Sequence, residues 1–132
     1  MIAIDTSALM AILLSESSAE AVMQVIEAAD GICISAGTLA EAMIVAERRK
    51  VGAAMTDLLD GLAMEVVPVT ASDARAVANA YRTWGKGIHP AGLNFGDCFA
   101  YALAAQRGCP LLQVGDDFAA TDATIAMPRG TA

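Results

Sequence analysis

Apolar positions along the chain follow two periods. Short, nearly continuous apolar runs rich in β-branched residues occur at 1–4, 32–35, 65–69 and 111–114, with a last short run at 123–126. They predict strands, and their lack of polar alternation predicts burial on both faces. Pro68 marks the third as an edge strand. Between these runs the apolar residues recur at helical spacing. Residues 7–14 predict a helix capped by Thr6 or Ser7. In 17–29, Ala21, Val25 and Ala28 share one face and Glu20, Gln24 and Glu27 another, and Asp30-Gly31 closes the segment. In 38–50 the stripe is Leu39, Ala42, Met43 and Ala46, and the helix ends on Arg48, Arg49 and Lys50, cations that suit its C-terminus. Further helices are expected at 53–62 and at 72–84, the latter capped by Ser72 with Asp73 in its first turn. Residues 85–95 form a Gly- and Pro-containing loop. Asn94 then caps a helix to about Arg107, with Asp97 at capping-box spacing and Gly108 as the stop.

Strands alternating with helices predict an α/β fold, a parallel sheet covered by helices on both faces. No repeat, low-complexity segment or long linker divides the chain, so residues 1–132 read as a single domain. In such sheets ligands bind beyond the carboxyl ends of the strands, at the topological switch point. That makes the positions of the acids informative. Asp5 ends the first strand, Glu41 lies in the first turns of the helix after the second, and Asp116 and Asp117 follow the fourth. All four are expected at one sheet edge, and Asp97 joins them if its helix starts there. Each acid also has an ordinary role open to it. Asp5 and Asp97 fit helix caps, Glu41 a solvated helix face, and Asp116 and Asp117 a turn after Gly115.

Composition narrows the class. The chain has 132 residues, 56% hydrophobic and 17% charged, which excludes intrinsic disorder and suffices for a core without disulfide or metal staples. The net charge of −7 argues against a protein that coats polyanions through a general basic surface. Cys33, Cys98 and Cys109 form no CxxC pair and read as reduced, buried thiols of a cytoplasmic protein. The N-terminus is apolar, but no Lys or Arg precedes the run 8–14 and Asp5 interrupts the stretch that leads to it, so it does not read as a signal peptide. No apolar run is long enough to span a membrane.

Carboxylates crowded at one edge repel, and some stay protonated unless a cation is present. Oxygen-only donors without His or Cys suit Mg2+ or Mn2+ rather than Zn2+. Such an ion activates a bound water, and a second one would clamp both the attacking and leaving oxygens of a phosphodiester. Thr6 and Ser7 are placed to hydrogen-bond Asp5 and fix its rotamer.

The opening Ile-Asp-Thr-Ser-Ala-Leu, the acid Glu41, the block from His89 through Leu-Asn-Phe-Gly-Asp-Cys to Ala104, and Leu-Leu-Gln-Val-Gly-Asp-Asp-Phe followed by Thr121-Asp122 resemble the PIN-domain family, above all its VapC-type ribonuclease toxins. The resemblance spans essentially the whole chain. It implies a PIN-like five-stranded parallel sheet flanked by helices, and Mg2+- or Mn2+-dependent endonucleolytic cleavage of RNA that leaves a 5′-phosphate and a 3′-hydroxyl. It carries catalytic and metal-binding roles to Asp5, Glu41 and Asp97. For the fourth acid, the family's frequent Gly-Asn-Asp-Phe is here Gly115-Asp116-Asp117-Phe118, so both Asp116 and Asp117 are candidates. The resemblance also implies a VapB-type antitoxin lying across the groove, a homodimer, and a toxin–antitoxin hetero-oligomer. Apolar residues in 8–14 and 39–45 serve either the core or such an interface.

Candidates for RNA contact are Arg82, Lys86 and His89, in and beside the loop before Asp97, together with Arg48, Arg49 and Lys50. Tyr81 and Trp84 are placed either to stack bases or to pack in the core. His89 precedes Pro90 and reads as a turn residue or a general base. Two competing readings remain. An aspartyl phosphatase wants a second acid two residues after the first, where this chain has Ser7, and a receiver domain wants a late Lys that 111–117 lack. A non-catalytic PIN-like module that binds RNA or protein is the other, and the filled acid positions weigh against it.

Overall fold

The computed structural model describes residues 1–127. The elements run β1 (Ile2–Ile4), α1 (Thr6–Leu13), α2 (Ala19–Ala28), β2 (Ile32–Ser35), α3 (Ala36–Arg48), α4 (Gly52–Leu62), β3 (Glu65–Val67), α5 (Ala71–Trp84), α6 (Phe95–Arg107) and β4 (Leu111–Leu112), then a 3-10 turn, Phe118–Ala120. The sheet is parallel throughout, in the order β3-β2-β1-β4. After β1 the chain moves outward to β2 and β3, then returns to place β4 on the other side of β1. The switch point therefore falls between β1 and β4, beside Asp5.

Alternation within the buried strands divides the core. Ile2, Ile4, Ile32 and Ile34 face one layer, packed with Leu9, Val22, Ala42, Ala46 and Met55 of α1 to α4. Ala3 and Cys33 face the other, against Val77 and Ala80 of α5 and Cys98, Ala100, Leu103 and Ala104 of α6. Small residues on both sides of this second layer let α6 lie close over β1 and β2. The apolar stretch from Ala8 to Ala11 belongs to the core, whereas Met43 and Ile44 on α3 are exposed.

The expected architecture is present with one strand fewer among the described residues: four strands, not five. The segment 123–126 touches β4 only through a single parallel bridge, Leu111 to Ile125. With only two residues in β4, the sheet offers no template for a longer ladder. β3 stops at Val67 because Pro68 has no N–H to donate. Three caps differ from expectation. Asp5, not Thr6 or Ser7, caps α1 by accepting from the Ser7 N–H. Ser35 caps α3, which therefore starts before Thr38. Thr70, not Ser72, caps α5 in a reciprocal box with Asp73. The Asn94–Asp97 box at the start of α6 and the left-handed Gly108 at its end are as expected.

Candidate active site

Asp5 leaves β1 at the switch point and is only 3% exposed. Its Oδ2 accepts from the Ser7 backbone N–H (3.0 Å) and the Ser7 hydroxyl (2.7 Å). The Ser7 Oγ in turn accepts from the Val114 N–H at 3.0 Å, tying Asp5 to the segment just past β4. Asp5 Oδ1 is buried with no hydrogen-bond partner. Capping uses only one oxygen of the carboxylate and leaves Oδ1 without a partner, so the helix-cap reading does not exclude a site there.

Thr6 behaves differently from expectation. Its hydroxyl donates not to Asp5 but to Glu41 Oε1, at 2.6 Å across from α1 to α3. The far side of the Glu41 carboxylate lies on the first turn of α6, where Gly96 has no side chain. A methyl group at Gly96 would sit 1.7 Å from Glu41 Oε2. Asp97, one residue on, accepts the Asn94 N–H at 3.0 Å and is half-buried.

These acids share one field. Burial, reinforced by Asp97 and Glu41, pushes the Asp5 carboxyl up to about 6 against the pull of its Ser7 hydrogen bonds. Burial likewise raises Asp97 to about 6, with Glu41 and Asp117 adding to it and the Asn94 N–H opposing. Asp117 is exposed, and its charge adds to the field at Asp97. Among the described residues the Asp116 side chain has no hydrogen-bond or ion-pair partner, and its backbone carbonyl accepts from the Ala119 N–H.

Among the described residues, no three His, Cys, Asp or Glu side chains stand as a ready-made set around one ion. Two of the acids are turned onto neutral donors, Glu41 onto Thr6 and Asp97 onto Asn94. The chemistry nevertheless fits a hard divalent cation. All donors are oxygens, the carboxyls repel one another, and Asp5 Oδ1 is a buried acceptor that nothing in the described chain satisfies.

The expected RNA contacts separate. Arg82 and Lys86 line a groove of about 770 Å³ between α5 and the start of α6, with Tyr81, Asn94 and Phe95 among mostly apolar side chains such as Val69, Val77 and Phe99. His89 is a turn residue: its Nδ1 accepts from the Ala91 N–H at 3.0 Å, and its ring meets Trp84 edge-on at 4.7 Å. Trp84 is half-buried and donates its Nε1–H to the Tyr101 hydroxyl at 3.0 Å, which takes it out of contention for stacking. Arg48, Arg49 and Lys50 sit at the far end of α3, roughly 20 Å along the helix from its start at the site edge. Sequence reasoning missed Gly96. Glycine inside a helix start, between two capping residues, was the available signal for Gly96.

An α/β fold with carboxylates beyond the strand ends at its switch point defines an acidic-site α/β protein. The PIN domain family model matches residues 2–123, and the chain belongs to that family. It is similar to Ribonuclease VapC30 of Mycobacterium tuberculosis, 46% identical over 129 residues, covering 95% of this chain and 98% of the relative. Ribonuclease VapC28 of the same organism is 41% identical over 130 residues, covering 96% and 98%. Among solved structures, Mycobacterium tuberculosis VapC20, a sarcin-ricin-loop-cleaving toxin, matches with a TM-score of 0.78 at 17% identity over 97% of this chain and 100% of that one. A toxin–antitoxin complex from Klebsiella pneumoniae matches with a TM-score of 0.71 at 17% identity, over 95% and 96%. At those identities the structural likeness concerns the fold.

Proposed function

We propose that this chain is an endoribonuclease toxin of a VapBC-type toxin–antitoxin module, hydrolysing RNA phosphodiester bonds with Mg2+ or Mn2+ at the acid cluster. The observation that carries the reading is the buried, unsatisfied Asp5 Oδ1, on a carboxyl that the nearby charges of Asp97 and Glu41 help to raise. Nearly full-length relatives named VapC ribonucleases support it.

The residues divide the work. Ser7 holds Asp5 by one oxygen and leaves the other free to ligate. Thr6 orients Glu41, and Gly96 makes room for it. Asn94 fixes Asp97 at the start of α6, where the helix dipole favours the ionised form. Asp5, Glu41 and Asp97, with Asp117, would hold the ion. When bound, it supplies Lewis-acid polarisation of the phosphate and lowers the pKa of a water to a range useful at neutral pH. In-line hydrolysis then leaves a 5′-phosphate and a 3′-hydroxyl.

The proposal includes a VapB-type antitoxin as the physiological inhibitor, a homodimeric toxin and a cytoplasmic location. Among the described residues no helix is long and apolar enough to cross a membrane. The exposed Met43 and Ile44 on α3 offer apolar surface for assembly. The test is cleavage of total RNA by antitoxin-free protein with Mg2+, with Mn2+ and with excess chelator, beside Asp97→Asn. Discrete metal-dependent cuts bearing 5′-phosphates, absent in the variant, support the reading. Identical patterns from both proteins, or metal-independent cuts, refute it.

A further inference from the structure

The side chain of Asp117 is not held by its own surroundings. It stands at the N-terminus of the 3-10 turn Phe118–Ala120 without capping it, and among the described residues its carboxylate has no hydrogen-bond or ion-pair partner. Its place is therefore set by the backbone of 116–122. Two points pin that segment. The Phe118 ring is buried in the core layer that also holds Leu103 and Leu111. Asp122 Oδ1 accepts from the Tyr101 hydroxyl of α6 at 2.5 Å. Among the described residues the remaining hydrogen bonds of 116–121 stay local. The carbonyls of Asp116, Asp117 and Phe118 accept from Ala119, Ala120 and Thr121, and the Thr121 hydroxyl donates to the Phe118 carbonyl and accepts from the Ala123 N–H.

Chemistry fixes the direction of the Tyr101 bond. The Trp84 Nε1–H donates to the Tyr101 oxygen at 3.0 Å, and an indole can only donate. The phenol proton is left for Asp122, whose carboxylate can only accept. A bond of this kind is charge-assisted and stronger than a neutral one. Its donor lies on the helix that carries Asp97. Tyr101 follows Asp97 by four residues, so the two share a face of α6, one turn apart. Asp117 and Asp122 flank the 3-10 turn in the same way. Two links thus run side by side from α6 to the segment, the charge of Asp117 acting at Asp97 and the bond of Tyr101 to Asp122. One anchor at Phe118 fixes a point; the second anchor at Asp122 fixes an orientation. We propose that the Trp84–Tyr101–Asp122 chain is a latch that sets where Asp117 stands relative to Asp97, which makes Tyr101 and Asp122 positioning residues of the cation site. The inference rests on the nuclease reading and deepens it at the fourth acid.

The test uses the full, antitoxin-free chain and two readouts: Mn2+ affinity without RNA, from the free-ion paramagnetic resonance signal, and the initial rate of RNA cleavage. Tyr101→Phe and Asp122→Ala are each expected to weaken Mn2+ binding and slow cleavage about tenfold, the lower end of what losing a partner that orients a metal ligand costs. Asp122→Asn keeps the acceptor oxygen and should restore affinity to within about threefold of wild type, since a neutral acceptor bonds less strongly than a charged one. In an Asp117→Asn background Tyr101→Phe should cost nothing more, because the latch acts through that carboxylate. A merely structural bond would not produce this non-additivity. Asp122 is exposed, so Asp122→Ala carries the same test should Tyr101→Phe fail to fold. If both variants bind Mn2+ and cut as wild type does, the latch is wrong and the nuclease reading stands. A loss that multiplies with that of Asp117→Asn, or Asp122→Asn as weak as Asp122→Ala, also overturns the latch. If wild type neither binds Mn2+ nor cuts RNA, both readings fall together.

Discussion

Gly96→Ala separates the position of Glu41 from the stability of the fold. The added methyl would stand 1.7 Å from Glu41 Oε2, 2.4 Å from its Cδ and 2.9 Å from Oε1, so the whole carboxylate must move. Restoring an ordinary contact of roughly 3.5 Å requires a shift of about 2 Å. That breaks the hydrogen bond from Thr6 and carries Glu41 away from Asp5 and Asp97. The displaced group is the end of a flexible, half-buried side chain, so the cost in stability is small. Loss of the Thr6 bond costs on the order of 1–2 kcal/mol. Alanine in place of a helical glycine returns about 0.5–1 kcal/mol. The net change is about 1 kcal/mol or less, a few degrees in melting temperature. Activity should respond far more, because misplacing a group by about 1 Å costs on the order of 100-fold. The assay is the initial rate of metal-dependent RNA cleavage beside thermal melting, with Glu41→Gln and the double variant completing a cycle. A drop of about 100-fold or more with little change in melting, and no further loss in the double variant, is expected. Wild-type cleavage by Gly96→Ala would refute the reasoning, and so would a collapse in melting temperature, which would make Gly96 a packing residue.

Asp5→Asn should raise the melting temperature in chelator at neutral pH while abolishing cleavage, because Asn still caps α1 and no longer ionises. The sign follows from the carboxyl: raised from 3.8 to about 6, it favours the folded state below pH 4 and loses that advantage as pH rises through 6. By roughly 1.4 kcal/mol per unit the penalty at neutral pH is on the order of 3 kcal/mol, so metal-free wild type should melt lower at pH 7.5 than at pH 5, and a flat profile would contradict the account. Ser7→Ala removes the link between Asp5 and Val114, and should cost about 1–3 kcal/mol in denaturant unfolding along with a loss of cleavage rate. Asp117→Asn should slow cleavage about tenfold, the size of a modest electrostatic contribution, whereas Asp116→Asn should leave it near wild type; rates in the opposite order would reassign the fourth acid.

Features written in local sequence were legible before the structure. The buried strands β1, β2 and β4, the Asn94–Asp97 box and the Gly108 stop depend on neighbours within a few residues, whereas β3, expected to be buried too, is an exposed edge with Val66 46% exposed. The expectation that Asp5 and Glu41 share a sheet edge followed from topology, since acids after parallel strands leave at one edge, whereas Asp97 depended on where its helix starts. What depends on how elements cross was not legible. Thr6 points to Glu41 because α1 and α3 pack together, and no spacing encodes that pairing. The gap that Gly96 leaves for Glu41 exists only where α6 meets α3. A short apolar run suggested a fifth strand at 123–126, but pairing needs a partner of matching length, and β4 is too short to supply one.

The central claim is that these acids share one cation with Asp5 Oδ1 among its ligands. Crystals grown with Mn2+ and measured at the manganese absorption edge test it directly. The account predicts an anomalous peak within coordinating distance, about 2.0–2.3 Å, of Asp5 Oδ1 and Asp97, with Glu41 or Asp117 reaching it directly or through water. A saturated crystal with no peak there, or with manganese bound only away from Asp5, would contradict it.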